Sequence, residues 1–310
     1  MIFEGLRGRE IGVLAPDAQG VFELAVTARS RPLDPEIARA IDRGDVVSLL
    51  RTGDIGLRSI QALLAEAPII GIPDLRLHAP IARPPKILGV GGNFAGIFGG
   101  WNRTPEVPPI FWKSPTSIIG PEEEIVLPEG AQVIQPEPEL VVVLGREGRR
   151  IPADERAFDY VAGYTLGNDI SNIDRLANDV VFRKRPDLAS YGFPTEVPFN
   201  LGMMFSCKSW DTFSPLGPWL VTKDELDIKN VRIDFRVNGA LVISWKVGEM
   251  TFGIPDILAY ISSICTLEPG DVVFTGTPQL IPPLRPGDVL EHSGTGMGVL
   301  RVHCVAERPT

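Results

Sequence analysis

Histidine is scarce in this chain, with three residues (His78, His292 and His303) among 310. They lie far apart and fall in no catalytic pattern, so each is read as structural or exposed. Cysteine is equally sparse. Cys207, Cys265 and Cys304 are odd in number and widely spaced, which excludes a disulfide framework and a cysteine zinc site. Positive charge is in deficit: the net charge is -9. A nucleic-acid partner needs a basic face and is not expected. A small anionic substrate stays open, because one local Lys or Arg can outweigh the global sign. No run approaches the ~20 apolar residues that span a bilayer. The opening "MIFEGLRGREIGVLAP" carries charges where a secretory leader needs an apolar core. The expectation is a cytoplasmic protein without a membrane partner.

Proline and glycine are plentiful, 29 and 32 residues, and they sit between short apolar segments. That pattern suits many strands and turns. The fold class expected is α+β, mainly β, with a small α/β domain over residues 1–80 and a larger one over 81–310. In the first, "REIGVLAP" and "GVFELAV" read as a hairpin. "LDPEIARAIDRG" reads as a helix capped by Asp34, and "IGLRSIQALLAE" as a second helix. In the second, "PKILGVGG", "PELVVVLGRE" and "YTLGNDIS" read as strands, and "ADERAFDYVAG" as a short helix closed by Gly163. "VRIDFRVNGALVISW" is a hairpin about Asn238-Gly239. "IPDILAYISSICTL" is a helix with Ile254, Ile257, Leu258 and Ile261 on one face. Residues 175–204 fit no period. A connection of that length, with four aromatics, reads as an ordered lid.

"LGVGGNFAGIFGGWN" holds six glycines from Gly89 to Gly100 and no acid, base or nucleophile. A dinucleotide fingerprint would place its third glycine where Phe94 stands, so a turn with close backbone approach is the better reading. Glu137 and Glu139 lie two apart at the head of an apolar strand and therefore on one face. Two carboxylates there repel each other unless a cation, or solvent, relieves them. Asp169 ends a strand as either a third oxygen ligand or a turn cap. Lys208 stands in an apolar, aromatic context, where it could pair with a carboxylate or steady an oxyanion.

The ordered set "PPKILGVGGNF", "PPIFWKSPTSIIGPEEEIVLP", "EPELVVVLG", "VAGYTLGNDIS", "KSWDTFSPLGPWLVTKDEL", "VNGALV", "EMTF", "TLEPGDVVFTGTP" and "PGDVL" resembles the fumarylacetoacetate hydrolase superfamily over about residues 83–305. The resemblance implies a mixed β-sandwich roll, a homodimer, and a divalent metal held by three carboxylates, Mg²⁺ first with Mn²⁺ or Ca²⁺ also used. Carried over, the metal ligands are Glu137, Glu139 and Asp169, the lysine is Lys208, and Thr277 lies near substrate. The chain departs from the pattern at the water-activating pair, where Ile97 and Gly100 replace His and Glu. Ile173, Ile243 and Val247 replace further polar positions.

The implied substrate is a small keto acid or 1,3-dicarbonyl compound. The implied reaction is hydrolysis of a C–C bond beside a ketone. With the pair missing, decarboxylation, keto–enol tautomerisation or another lyase step are alternatives, and a non-catalytic ligand-binding relative is a further one. Asp174, Asp187 and Glu196 are candidates for a replacement base, Asp174 foremost. Asn93, Phe94, Ile97 and Ile243 are expected to line a larger, more apolar substrate pocket.

Overall fold

The structure is a computed structural model. It describes residues 1–310 except 6–7, 18, 73–74, 99–104, 179, 185, 201–204 and 309–310, and the backbone alone at 98, 180–183 and 196–200. The N-terminal segment runs β1 (Ile2–Gly5), β2 (Gly8–Leu14), β3 (Gly20–Glu23), α1 (Leu24–Ala28), α2 (Pro35–Asp42), α3 (Val46–Arg51), α4 (Asp54–Leu64), β4 (Ile69–Gly71) and β5 (Leu77–His78). Its strands form one sheet in the order β4-β3-β2-β1-β5. The expected hairpin is β2 with β3, but the second strand stops at Glu23. Leu24, Ala25 and Ala28 bury against Ile37, Ile41 and Leu63, and only a helical turn puts all three on that side. Asp34 caps α2 by accepting from the Glu36 amide at 2.8 Å. Gly44, at φ +63°, takes the chain out of that helix into α3.

The remaining chain continues β6 (Ile87–Val90), α5 (Ala95–Phe98), β7 (Ile110–Lys113), β8 (Ile118–Ile119), β9 (Glu124–Leu127), β10 (Ile134–Gln135), β11 (Pro138–Leu144), β12 (Val161–Asn168) and β13 (Ser171–Asn172). Next come α6 (Ile173–Asn178), β14 (Val180–Lys184), β15 (Glu196–Asn200), β16 (Ser214–Thr222), β17 (Arg232–Val237) and β18 (Ala240–Lys246). It closes with α7 (Ile254–Ile264), β19 (Val272–Phe274), β20 (Val289–Gly294) and β21 (Gly298–Ala306). A seven-stranded sheet, β7-β6-β19-β11-β12-β16-β8, and a five-stranded sheet, β18-β17-β20-β21-β9, share one core.

β11 explains the unbroken run "PELVVVL". It is central and buried on both faces, so it does not alternate with polar residues. Leu140, Val142 and Leu144 enter the core with Phe235, Leu290 and Leu300. Val141 and Val143 turn the other way, to Ile87, Val272 and Phe274, where Val46, Val47 and Leu50 of α3 cover them.

"ADERAFDYVAG" is a single 3-10 stretch, Glu155–Tyr160, and the strand has already begun at Val161. Gly163 therefore does not close a helix. It lies inside β12 opposite Thr222, where a Cβ would sit 2.0 Å from the Val221 carbonyl oxygen. The 175–204 connection, over its described residues, is not irregular either. After α6 it forms a hairpin, β14 against β15 from Val180↔Asn200 to Lys184↔Glu196, with Tyr191 and Phe193 exposed.

Candidate metal centre

β11 and β12 are antiparallel neighbours, so the head of one meets the tail of the other. Pro138 pairs with Asn168, which brings Glu137 and Glu139 beside Asp169. Backbone bonds fix the meeting. The Asp169 amide donates to the Glu137 carbonyl at 2.8 Å, and the Glu137 amide donates to Asn168 Oδ1 at 2.8 Å. One carboxylate oxygen from each acid lies within 4.8 Å of the others. Glu139 and Asp169 have no exposed surface, and Glu137 is half-buried. Burial, then the charges of Asp169 and Glu137, push the Glu139 carboxyl well above the usual carboxylate range. Glu139 Oε2 accepts from the Gly276 amide at 2.6 Å, while the buried Oε1 has no partner among the described residues. Three hard oxygen donors, one of them without a partner, suit a divalent cation such as Mg²⁺ or Mn²⁺.

Two lysines close on this trio. Lys208 Nζ donates to Glu137 Oε1 at 2.7 Å, Asp169 Oδ2 at 2.5 Å and Ser171 Oγ at 2.6 Å. Ser171 Oγ in turn lies 2.5 Å from Glu137 Oε1. Burial opposes the Lys208 charge, but Asp169 and Glu137 outweigh it and hold the ammonium above its ordinary range. Lys113, the residue that sequence reasoning missed, donates to Asp169 Oδ1 at 2.5 Å from a fully buried position. Burial pulls its pKa down, partly offset by Asp169. A signal existed in "IFWK", where alternation puts Phe111 and Lys113 on the same side of β7. Each carboxylate oxygen has two lone pairs, so these contacts still leave room for a cation.

The other singled-out residues divide. Thr277 is buried one residue beyond Gly276, and its Oγ1 has no partner among the described residues. Ile97 is half-buried on α5, which abuts the same loop: a Cβ on Gly96 would lie 3.5 Å from the Pro278 carbonyl oxygen. Asn93 has its amide committed to backbone. Nδ2 donates to the Phe252 and Thr275 carbonyls, and Oδ1 accepts from the Phe252 amide. Phe94 belongs to the main core, and Ile243 and Val247 pack with it. Asp174 Oδ2 accepts from the Gln132 and Val133 amides, so it ties a loop down. Asp187 sits on an exposed 3-10 turn. The Gly100 position and the Glu196 side chain lie outside the described residues.

The histidines are engaged elsewhere. His78 meets Glu4, His303 meets Glu122, and His292 stacks on Trp245. A cavity of about 340 Å³, bordered by Asn172, Asp174 and Trp210, does not include the trio.

The sequence profile described as fumarylacetoacetate (FAA) hydrolase C-terminal matches residues 86–305. The chain belongs to the fumarylacetoacetate hydrolase family. It is similar to the human mitochondrial oxaloacetate tautomerase FAHD2A, at 33% identity over 305 residues, 95% of this chain and 87% of that one. Among solved structures it resembles a putative HpcE protein from Mycobacterium smegmatis, at 28% identity and TM-score 0.76, with 99% of each chain covered. Maleylpyruvate hydrolase from Sphingobium sp. SYK-6, solved with manganese(II) and pyruvate, shares the fold at 23% identity and TM-score 0.75, covering 99% and 100%. The mixed, mainly β architecture is thus that of the family. Among the described residues no helix is long and apolar enough to cross a membrane.

Proposed function

We propose that this protein is a divalent-cation-dependent keto–enol tautomerase of 2-oxo acids bearing a second carbonyl or carboxylate at C4, with oxaloacetate the simplest. The observation that carries this reading is the Lys208 ammonium, placed between Glu137, Asp169 and Ser171 at the edge of the carboxylate trio. The full-length likeness to an oxaloacetate tautomerase supports it.

Glu137, Glu139 and Asp169 would hold the cation, which supplies Lewis-acid polarisation of a substrate carbonyl when bound. Lys208 holds the mobile proton at Nζ. The N–H that Ser171 Oγ accepts in the substrate-free site turns to the substrate: from enol to keto, Lys208 gives that proton to C3 and recovers one from the enol hydroxyl, so nothing is consumed. Thr277 Oγ1, buried and without a partner among the described residues, is a donor for a substrate oxygen. Ile97 offers the substrate's far end an apolar wall.

Isomerisation needs no activated water. Hydrolysis does, and loss of the general base typically costs about 10²–10⁴-fold. Asp174 has no part in this reading, because two backbone amides occupy its carboxylate.

The test follows the decay of enol absorbance for oxaloacetate and for acylpyruvates, with Mg²⁺ or Mn²⁺, with chelator, and in Lys208→Met. Acceleration that both chelator and K208M abolish is expected. Acceleration that survives K208M would refute the proton role, and production of two carboxylic acids would assign hydrolysis instead.

A further inference from the structure

The edge strand β7 touches the site twice. Its alternation sends Trp112 outward, and Phe111 and Lys113 inward. Lys113 reaches Asp169. Phe111, almost fully covered, places its ring centroid 4.8 Å from Lys208 Nζ, within the range of cation–π attraction. The ring's register partner on β6 is Gly89. A Cβ on Gly89 would lie 2.2 Å from Phe111 Cζ and 2.6 Å from Cε2. Gly89 is not among the positive-φ glycines, so its backbone does not require glycine. The space does: without a side chain there, the ring can lie on the sheet and turn its π cloud toward the lysine.

We propose that Phe111 is a positioning residue for Lys208: its ring, seated on Gly89, holds the ammonium against Glu137, Asp169 and Ser171. The lysine stem is long and rich in rotamers. Three oxygen acceptors draw its head one way. The ring closes another side without offering a competing acceptor, so the ammonium keeps its place. The functional consequence rests on Lys208 carrying the proton, whereas the geometric claim stands by itself.

The test uses the metal-loaded full chain with Phe111→Leu, with 4-fluoro- and 3,4,5-trifluorophenylalanine at position 111, and with Gly89→Ala. Fluorination drains the ring face while nearly preserving its shape. The kcat is expected to fall stepwise with fluorine number, and by about three- to thirtyfold in F111L, with KM and melting temperature near the parent values. G89A displaces the ring and lowers kcat similarly, and combining it with F111L adds nothing further. In a crystal structure of F111L, Lys208 Nζ loses hydrogen-bond distance to at least one of its three partners.

A kcat indifferent to fluorination, or an F111L structure with all three Lys208 contacts intact, overturns the proposal. The structural readout needs no turnover. Absence of activity on every keto acid would therefore sink the tautomerase reading and still leave the hold of Phe111 on Lys208 measurable.

Discussion

Lys113 Nζ lies 2.5 Å from Asp169 Oδ1, and neither side chain is exposed to solvent. Lys208 takes the other oxygen, Oδ2, so this one carboxylate is held by two ammonium groups. Removing one partner of a buried pair leaves the other charge uncompensated, at a cost of about 3–5 kcal/mol. Because Lys208 remains, Lys113→Met should fall at the lower end, about 3 kcal/mol, in urea denaturation. The variant also leaves the trio one unit more negative. Added Mg²⁺ or Mn²⁺ should therefore raise its melting temperature by more than it raises that of the parent. An equal or smaller shift would contradict the placement of Lys113 in this cluster.

Thr277 gives a prediction of opposite sign. Its buried hydroxyl has no hydrogen-bond partner among the described residues, so no internal hydrogen bond is lost with it. Replacing an unsatisfied buried hydroxyl with a methyl group is neutral or stabilising. Thr277→Val should melt at or slightly above the parent temperature while kcat/KM drops about tenfold, the worth of one substrate hydrogen bond. A destabilised variant with unchanged kcat/KM would show that the hydroxyl serves the fold.

His292 sets an acid limit on stability. Burial pushes its pKa down to about 3 from an ordinary 6.5. Between those values the unfolded chain binds a proton that the folded chain refuses, so stability is intact above about pH 6.5 and lost as pH falls toward 3. The slope from this group approaches about 1.4 kcal/mol per pH unit. Urea midpoints at pH 7, 5.5 and 4.5 should fall more steeply in the parent than in His292→Leu. Equal slopes would mean that His292 is not buried in its neutral form.

Much of the fold was legible because local chemistry dictated it. Asp34 as N-cap, Pro35 at the first helical position and Gly44 at positive φ just past the end bound α2, and Asn238-Gly239 turns a hairpin with both residues at positive φ. Glu137 and Glu139 shared a face by period alone. What the sequence concealed depended on non-local packing. The short helix α3 has no long amphipathic period, and its role comes from covering the outer face of β11. Gly163 looked like a helix stop because its true constraint, a neighbouring strand's carbonyl, lies about sixty residues away. Lys113 was hidden for the same reason: a lysine on an edge strand ordinarily faces water, and only the register of β11 with β12 brings an acid under it. Asn93 was read as a substrate contact, and its amide ties its own loop to two backbone segments distant in sequence, at Phe252 and Thr275.

The central claim is that the carboxylate trio and Lys208 move a proton on a 2-oxo acid without breaking its carbon skeleton. The direct measurement is proton NMR of oxaloacetate in D₂O with the Mn²⁺- or Mg²⁺-loaded protein, following the C3 hydrogens beside the total of intact substrate and any pyruvate formed. The account predicts C3 deuterium exchange well above the protein-free rate, abolished by chelator and by Glu137→Ala, with pyruvate no faster than the protein-free control. Protein-dependent release of pyruvate and CO₂ at the exchange rate, or exchange that persists in Glu137→Ala, would contradict it.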